Sequence, residues 1–352
     1  MPGLGTAGGK FQISTGWHSA WASNDYFDST YNRSFTSLWR PHERISIMDV
    51  SARWNVNSRF SVALTLPIVS NHFSILLPPQ SHPKGTRYGW DASGLGDMVA
   101  YTQTWILKPS THPFGNIAFG LGMKIPTGNW DVRKMMPDET GTNFVRRAIY
   151  PAAIMPGDGG TGIIVGLSGY KTLRHPSWLR KFTVFGSAQY LINARNTNGT
   201  PSAVSSLGVP LNGRFASALT NSVTDSYAWQ AGFAMKIPGT WNHENLKGMR
   251  LQFATGMEGI PSRDLFGGSG GFRQAGYTVT MGPGFSYQRK HDYFIVQVPI
   301  VIGEHINPGR TLLPGLPITG PGGIPSAGPF NFSRQLGLIG PLAVSVRYVR
   351  SI

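Results

Sequence analysis

Twelve stretches of this chain carry apolar side chains on every second position, and the connections between them are alternately long and short. In residues 116–126, Ile117, Phe119, Leu121, Met123 and Ile125 alternate with Asn116, Ala118, Gly120, Gly122 and Lys124. A period of two sends the two sets to opposite faces of a β-strand. One face is oily over about ten residues, whereas a strand averages about five or six. The pattern recurs at 10–22, 44–54, 59–69, 95–107, 162–173, 181–193, 226–237, 250–258 and 274–288. Residues 292–302, nearly all apolar, and 334–350, whose start Pro341 delays, complete the set. The long connections are 23–43, 70–94, 127–161, 194–225, 259–273 and 303–333, and the short ones 55–58, 108–115, 174–180, 238–249 and 289–291.

A soluble sandwich has no reason to lengthen every second connection. A transmembrane barrel has an even strand number, long extracellular loops and short periplasmic turns. The sequence therefore predicts an all-β fold, a transmembrane antiparallel up-and-down β-barrel of about 12 strands. One domain is expected over 1–352, with 1–9 a flexible N-terminal segment. The oily faces meet lipid and the small or polar faces line the lumen. Trp54, Trp178 and Trp241 fall at or near short turns, and Trp17, Trp21, Trp130 and Trp229 near long loops. Aromatic girdles at both interfaces have this distribution.

Composition agrees. Charged residues are 13% of the chain, about half the globular norm. Mean hydropathy is −0.13, and no stretch offers the 18 or so apolar residues of a spanning helix. With no cysteine, disulfides, thiolate catalysis, iron–sulfur clusters and cysteine zinc sites are excluded. The net charge is +15, yet the 31 basic residues form no run or helical stripe. Nucleic acid is therefore not an expected partner. Outer-membrane lipid, anionic lipopolysaccharide and small solutes are, with the bacterial outer membrane as location. The opening residues MPGLGTAGG lack the basic and apolar regions of an export signal. Oligomeric state is not legible.

GLGMKIPTG (120–128), GLGDMVAYTQTWIL (94–107) and PGDGGTGIIVGLSGYK (156–171) carry a resemblance, and FGSAQYLIN (185–193) fits it loosely. Together they resemble the outer-membrane barrel family named for the meta-pathway of phenol degradation. The resemblance covers about residues 94–193. It implies a barrel that passes small, in part aromatic, compounds, and it transfers no catalytic residue. One departure is the end of the chain, VSVRYVRSI. Such barrels usually finish on an aromatic residue, whereas here Tyr348 is the nearest. The echo of MKIP (123–126) at 235–238 places a proline at the end of two strands.

The remaining motifs point away from chemistry. GDGGTG (157–162) matches GxGxxG, but the alternating IIVGLSGY that follows is a strand, not the helix a dinucleotide site needs. The nine histidines are dispersed with no HExxH, so neither a metal nor a cofactor is expected. A barrel enzyme acting on lipid, phospholipase-like, is the alternative. It needs a His and a Ser two apart on a lipid-facing strand, followed by Asn. His72–Ser74 and His175–Ser177 have that spacing but are expected in loops and lack the Asn. No catalytic residue is therefore assigned. A soluble all-β binding protein is the third alternative.

The phase of the strands turns Arg53, Lys124, Lys236, Arg250 and Arg347 inward, with Lys171 and Arg334 as further candidates, and Asp49, Asp97 and Glu258 beside them. Basic rings favour anions. The same charges could instead pair across the bore and hold it rigid. The Gly/Pro-rich segment 303–331 is a candidate constriction loop.

Overall fold

The structure is a computed structural model. It describes residues 9–27, 29–31, 33, 36–37, 40–76, 87–137, 144–148, 152–176, 179, 182–202, 205, 213–237, 246–306, 336–339 and 341–352. The chain forms a closed antiparallel barrel of 12 strands, each paired with its neighbours in sequence. They are β1 (Phe11–Ala22), β2 (His42–Asn55), β3 (Phe60–Leu76), β4 (Arg87–Leu95 and Met98–Trp105), β5 (Gly115–Ile125) and β6 (Gly162–Thr172). The second half is β7 (Phe182–Asn193), β8 (Ser226–Lys236), β9 (Met249–Ile260), β10 (Gly276–Arg289), β11 (Asp292–Gln297 and Ile300–Ile306) and β12 (Leu342–Ser351). β1 closes on β12 in register from Gln12 opposite Ser351 to Trp21 opposite Leu342. Closure leaves no open sheet edge in the band where all twelve strands pair, as a structure surrounded by lipid requires.

The twelve expected strands are the twelve observed. Connections 23–41, 77–86, 126–161, 194–225, 261–275 and 307–341 lie at one end, and 56–59, 106–114, 173–181, 237–248 and 290–291 at the other. Pro341 does delay the last strand. Leu336–Ile339 pairs instead with Asn24–Phe27 in a small separate sheet. The candidate constriction at 303–331 is a strand to Ile306, and its remainder lies outside the described residues, as does Arg334.

The oily faces turn outward. Phe11, Ile13, Trp17 and Trp21 of β1, Ile117, Phe119, Leu121 and Met123 of β5, and Trp229 and Phe233 of β8 are exposed. Gln12, Ser61, Gln103, Asn116, Ser168, Thr183, Gln252 and Ser286 are buried on the inner face. Gln103 donates to Ser168 at 3.1 Å across the width of β5, and Gln252 to Ser286 at 2.7 Å. From Phe11 to Trp21 the apolar face covers ten steps, about 33 Å of strand, or about 25 Å along the normal at a tilt near 40°.

Two strands run past this band. β3 and the first segment of β4 pair as a hairpin up to Leu76 opposite Arg87, well beyond the end of β5. There the side-chain pattern inverts. Below the level of Ile68, outward positions are Val62, Leu64 and Ile68; above it they are Ser70, His72 and Ser74, the last buried beside Arg87, while Val69, Phe73 and Trp90 turn inward and are buried. β2 inverts at the same level, from outward Met48 and Val50 to inward Ile45 and Ile47. A strand that leaves lipid for water must change which face is oily, so this level marks the bilayer edge at the long-loop end.

Candidate functional site: the bore and its long-loop mouth

The β5–β6 connection folds back into the long-loop mouth. Its short 3-10 helix, Ala152–Ile154, packs Ile154 and Met155 against Phe73, Trp90 and Ala92 on the inner face of the tall hairpin. The buried Asn71 amide donates to the Ile154 carbonyl at 3.0 Å. Below this contact the three glycine-rich motifs meet. Asp97, in the bulge of β4, accepts from the Gly128 amide at 3.0 Å and the Asp158 amide at 3.3 Å. Lys124 stands 3.8 Å from Asp97 and is also ion-paired to Asp158. Gly128 and Gly157 touch backbone to backbone; a Cβ on Gly157 would lie 2.7 Å from the Gly128 carbonyl oxygen. Lys124 is thus an inward cation, as its phase requires, but two carboxylates hold it as a latch between loop and wall.

The latch continues into the neighbouring loops. Arg195 donates to the Gly159 carbonyl at 2.6 Å and lies over Trp130 at 5.8 Å. Asn198 donates to the Asp158 carbonyl at 3.1 Å. Asp225, fully buried, accepts from the Asn193 and Leu265 amides, each at 2.7 Å, and from Tyr190 at 3.0 Å. Arg273 makes two hydrogen bonds to Asp264, at 2.8 and 2.6 Å, with side-chain exposures of 1% and 3%. Burial alone would raise the Asp264 carboxyl, but hydrogen bonds from Arg273 and the Asp225 amide outweigh it and hold the group below the ordinary carboxylate range.

The other sequence-derived positions separate along the bore. Arg53, Lys236 and Arg250 face inward toward the short-turn end, Lys236 opposite Arg250 in register. Glu258 faces inward near the long-loop end, as do Glu43 and Glu304, which sequence reasoning did not single out. Asp49 and Arg347 form a pair at 3.8 Å midway. Among the described residues no carboxylate lies within ion-pair distance of Arg53, Lys236 or Arg250. Lys171 is a correction. It sits opposite Gly115 and Val184, and Val184 is exposed on the lipid side, so it points outward. Its phase was misjudged because the strand ends there and lysine at a membrane edge can snorkel.

Aromatic side chains occupy the inner half. Tyr101 spreads over Gly120, Gly122 and Gly166, where a Cβ would collide with its ring or hydroxyl. The inward glycines of the opening motif therefore seat a tyrosine instead of widening the bore. Trp105 is buried edge-on to Tyr170 with ring centroids 5.8 Å apart. A groove of about 780 Å³ opens over the outward Gly169 and Gly186 beside Ile117, Leu167, Val184 and Trp229. It belongs to the lipid face, not the bore.

His72 and Ser74 are not in a loop but on the outward face of β3, just above the bilayer edge. His72 Nδ1 is 2.8 Å from an Asp91 oxygen, while Ser74 Oγ accepts from Arg87 at 3.1 Å. His175 lies in the β6–β7 turn, and Ser177 is outside the described residues.

With this geometry in view, the chain is similar in structure to the COG4313 outer membrane channel from Pseudomonas putida F1. The TM-score is 0.56 at 12% identity, over 97% of this chain and 95% of that one. Looser overlaps are with the beta domain of the Bordetella autotransporter BrkA (TM-score 0.44, 10% identity, 96% and 99% covered) and the P. putida toluene transporter TodX (0.44, 10%, 98% and 90%). No family model and no curated protein matches the sequence. The likeness supports the barrel fold, while the resemblance to the phenol-degradation family rests on its motifs.

Proposed function

We propose that this chain is a passive outer-membrane channel for small solutes, with its long loops extracellular and an inner half that favours anions. The observation that supports it is the inverted barrel: oily outside, polar and charged inside, with Arg53, Lys236 and Arg250 toward the short-turn end and no carboxylate within ion-pair distance of them among the described residues. Basic side chains in a narrow bore attract anions and repel cations. Solute would enter past Glu43, Glu258 and Glu304 beneath the latched β5–β6 loop and leave past the cations. The described residues show no device for energy coupling. In a planar bilayer under a salt gradient, the protein should conduct with an anion-selective reversal potential. A cation-selective one would refute the basic inner half, and no conductance would refute the channel.

The alternative of a barrel enzyme acting on lipid has one observation in its favour. His72 is oriented by Asp91 on a strand face at the lipid–water edge, two residues from Ser74. Against it, Ser74 Oγ is engaged by Arg87 and not by His72. Ester hydrolysis in detergent micelles that vanishes on Ser74→Ala would favour this alternative over transport.

A further inference from the structure

The seam where the barrel closes holds an arrangement that a rigid wall does not require. Arg347 of β12 reaches across β1 toward β2. It crosses at Gly16, where a Cβ would stand 3.3 Å from its Nε, so a larger residue there would obstruct the guanidinium. On the far side Asp49 lies 3.8 Å from Nη2. Four residues along the same inner face of β2 is Arg53. Its charged neighbour is Arg347, and Tyr101 lies two strands away in register through Ala63. Two guanidinium groups thus lie in this part of the wall with one carboxylate, Asp49, which pairs with Arg347 alone; the charge of Arg53 has no carboxylate within ion-pair distance among the described residues.

Neighbouring like charges repel, and an anion between them relieves the repulsion. A guanidinium is a planar fork that matches a carboxylate with two parallel hydrogen bonds. One surplus charge matches a monoanion and is overcompensated by a dianion. Beside the polar Gln12 opposite Arg53, the wall offers apolar surface on Ala63, on the buried Ile295 opposite Arg347, and on the Tyr101 ring lying along its glycines. A body of carbon attached to the anion would lie against it. Given the channel function proposed above, we propose that Arg53 and Arg347 form a binding station for small organic monocarboxylates on the solute path. Asp49 positions Arg347 and moderates the affinity, so that the solute can leave.

The test uses the full chain in planar bilayers, with chloride current recorded while acetate or benzoate is added. Both should reduce the current in a saturable way, and inorganic phosphate should do so less well. Arg53→Gln should raise the half-blocking concentration at least tenfold, and Arg53→Lys, which keeps the charge but loses the fork, by less. Asp49→Asn should lower it several-fold, a gain that misfolding cannot produce. Lys171→Gln, facing lipid, should change nothing. A conducting wild type whose carboxylate block is absent, is untouched by Arg53→Gln, or is equalled by phosphate overturns the station and leaves the channel standing. A wild type that carries no current overturns the channel itself.

Discussion

Replacing Lys124 by methionine removes the cation of the latch and nothing else of comparable size. The side chain is 9% exposed, and its partners Asp97 and Asp158 are 11% and 39% exposed. Two unit charges about 4 Å apart attract by about 4 kcal/mol at an effective dielectric near 20. Truncating one partner of a buried pair costs about 3–5 kcal/mol, because the other is left stranded. Here the loss is smaller, since Asp97 keeps its two backbone donors and Asp158 reaches water. A local loss of about 2–4 kcal/mol remains after that discount. The Gly128 and Asp158 amides that point at Asp97 report it directly. Their hydrogen exchange should accelerate by about 30- to 700-fold, at about 1.4 kcal/mol per tenfold. Lys124→Arg should show a smaller change. Unaltered exchange of both amides in Lys124→Met would show that the loop is held by its glycine contacts and by Ile154, and that the ion pairs are incidental.

Four further outcomes follow from the same structure. Leu121→Arg, at the centre of the outward face of β5, should destabilise the barrel in lipid vesicles by about 2–4 kcal/mol, while inward Gln189→Arg should stay within about 0.5 kcal/mol; urea titration compares them. Arg273→Ala strands the buried Asp264 and should open residues 261–275 to protease by about 3–5 kcal/mol, while the apolar double replacement Asp264→Leu with Arg273→Met recovers most of it. Because the folded Asp264 carboxyl is held low, its contribution is complete above about pH 3.9 and is lost as the pH falls through its lower folded value. The same protease assay should therefore show loop opening only in acid. Gly120→Val should drive Tyr101 off its glycine seat into the bore and lower conductance without unfolding the barrel.

The barrel was legible because lipid imposes one rule on every strand, and Ile117 to Ile125 obey it as Val62 to Ile68 do. The tall hairpin was not. Its alternation continues, but with the opposite phase, so that Phe73 and Trp90 face in and His72 faces out. A search for a single phase ends the strand at 69, where the surroundings change from lipid to water. The inward phase of Arg53, Lys236, Arg250, Arg347, Asp49, Asp97 and Glu258 could be read from their neighbours along each strand. Which of them are paired could not. Asp158 reaches Lys124 from a loop 34 residues further on, and no local spacing encodes that approach. The glycine-rich motifs were a usable signal, since Asp97, Gly128 and Asp158 come from three of them, but their meeting point required the fold.

The claim beneath all of this is the direction of the two faces. The chain has no native cysteine, so single cysteines can be introduced without background on β7 and β8. In lipid vesicles, cysteines at inward Ser187, Gln189, Ala228 and Gln230 should react with a charged, water-soluble thiol reagent. Those at outward Val184, Ala188, Trp229 and Ala231 should resist it and, carrying a fluorophore, be quenched by lipid-borne quenchers. The reverse pattern, with the outward set reacting from water and the inward set shielded, would contradict the inverted barrel and the channel built on it.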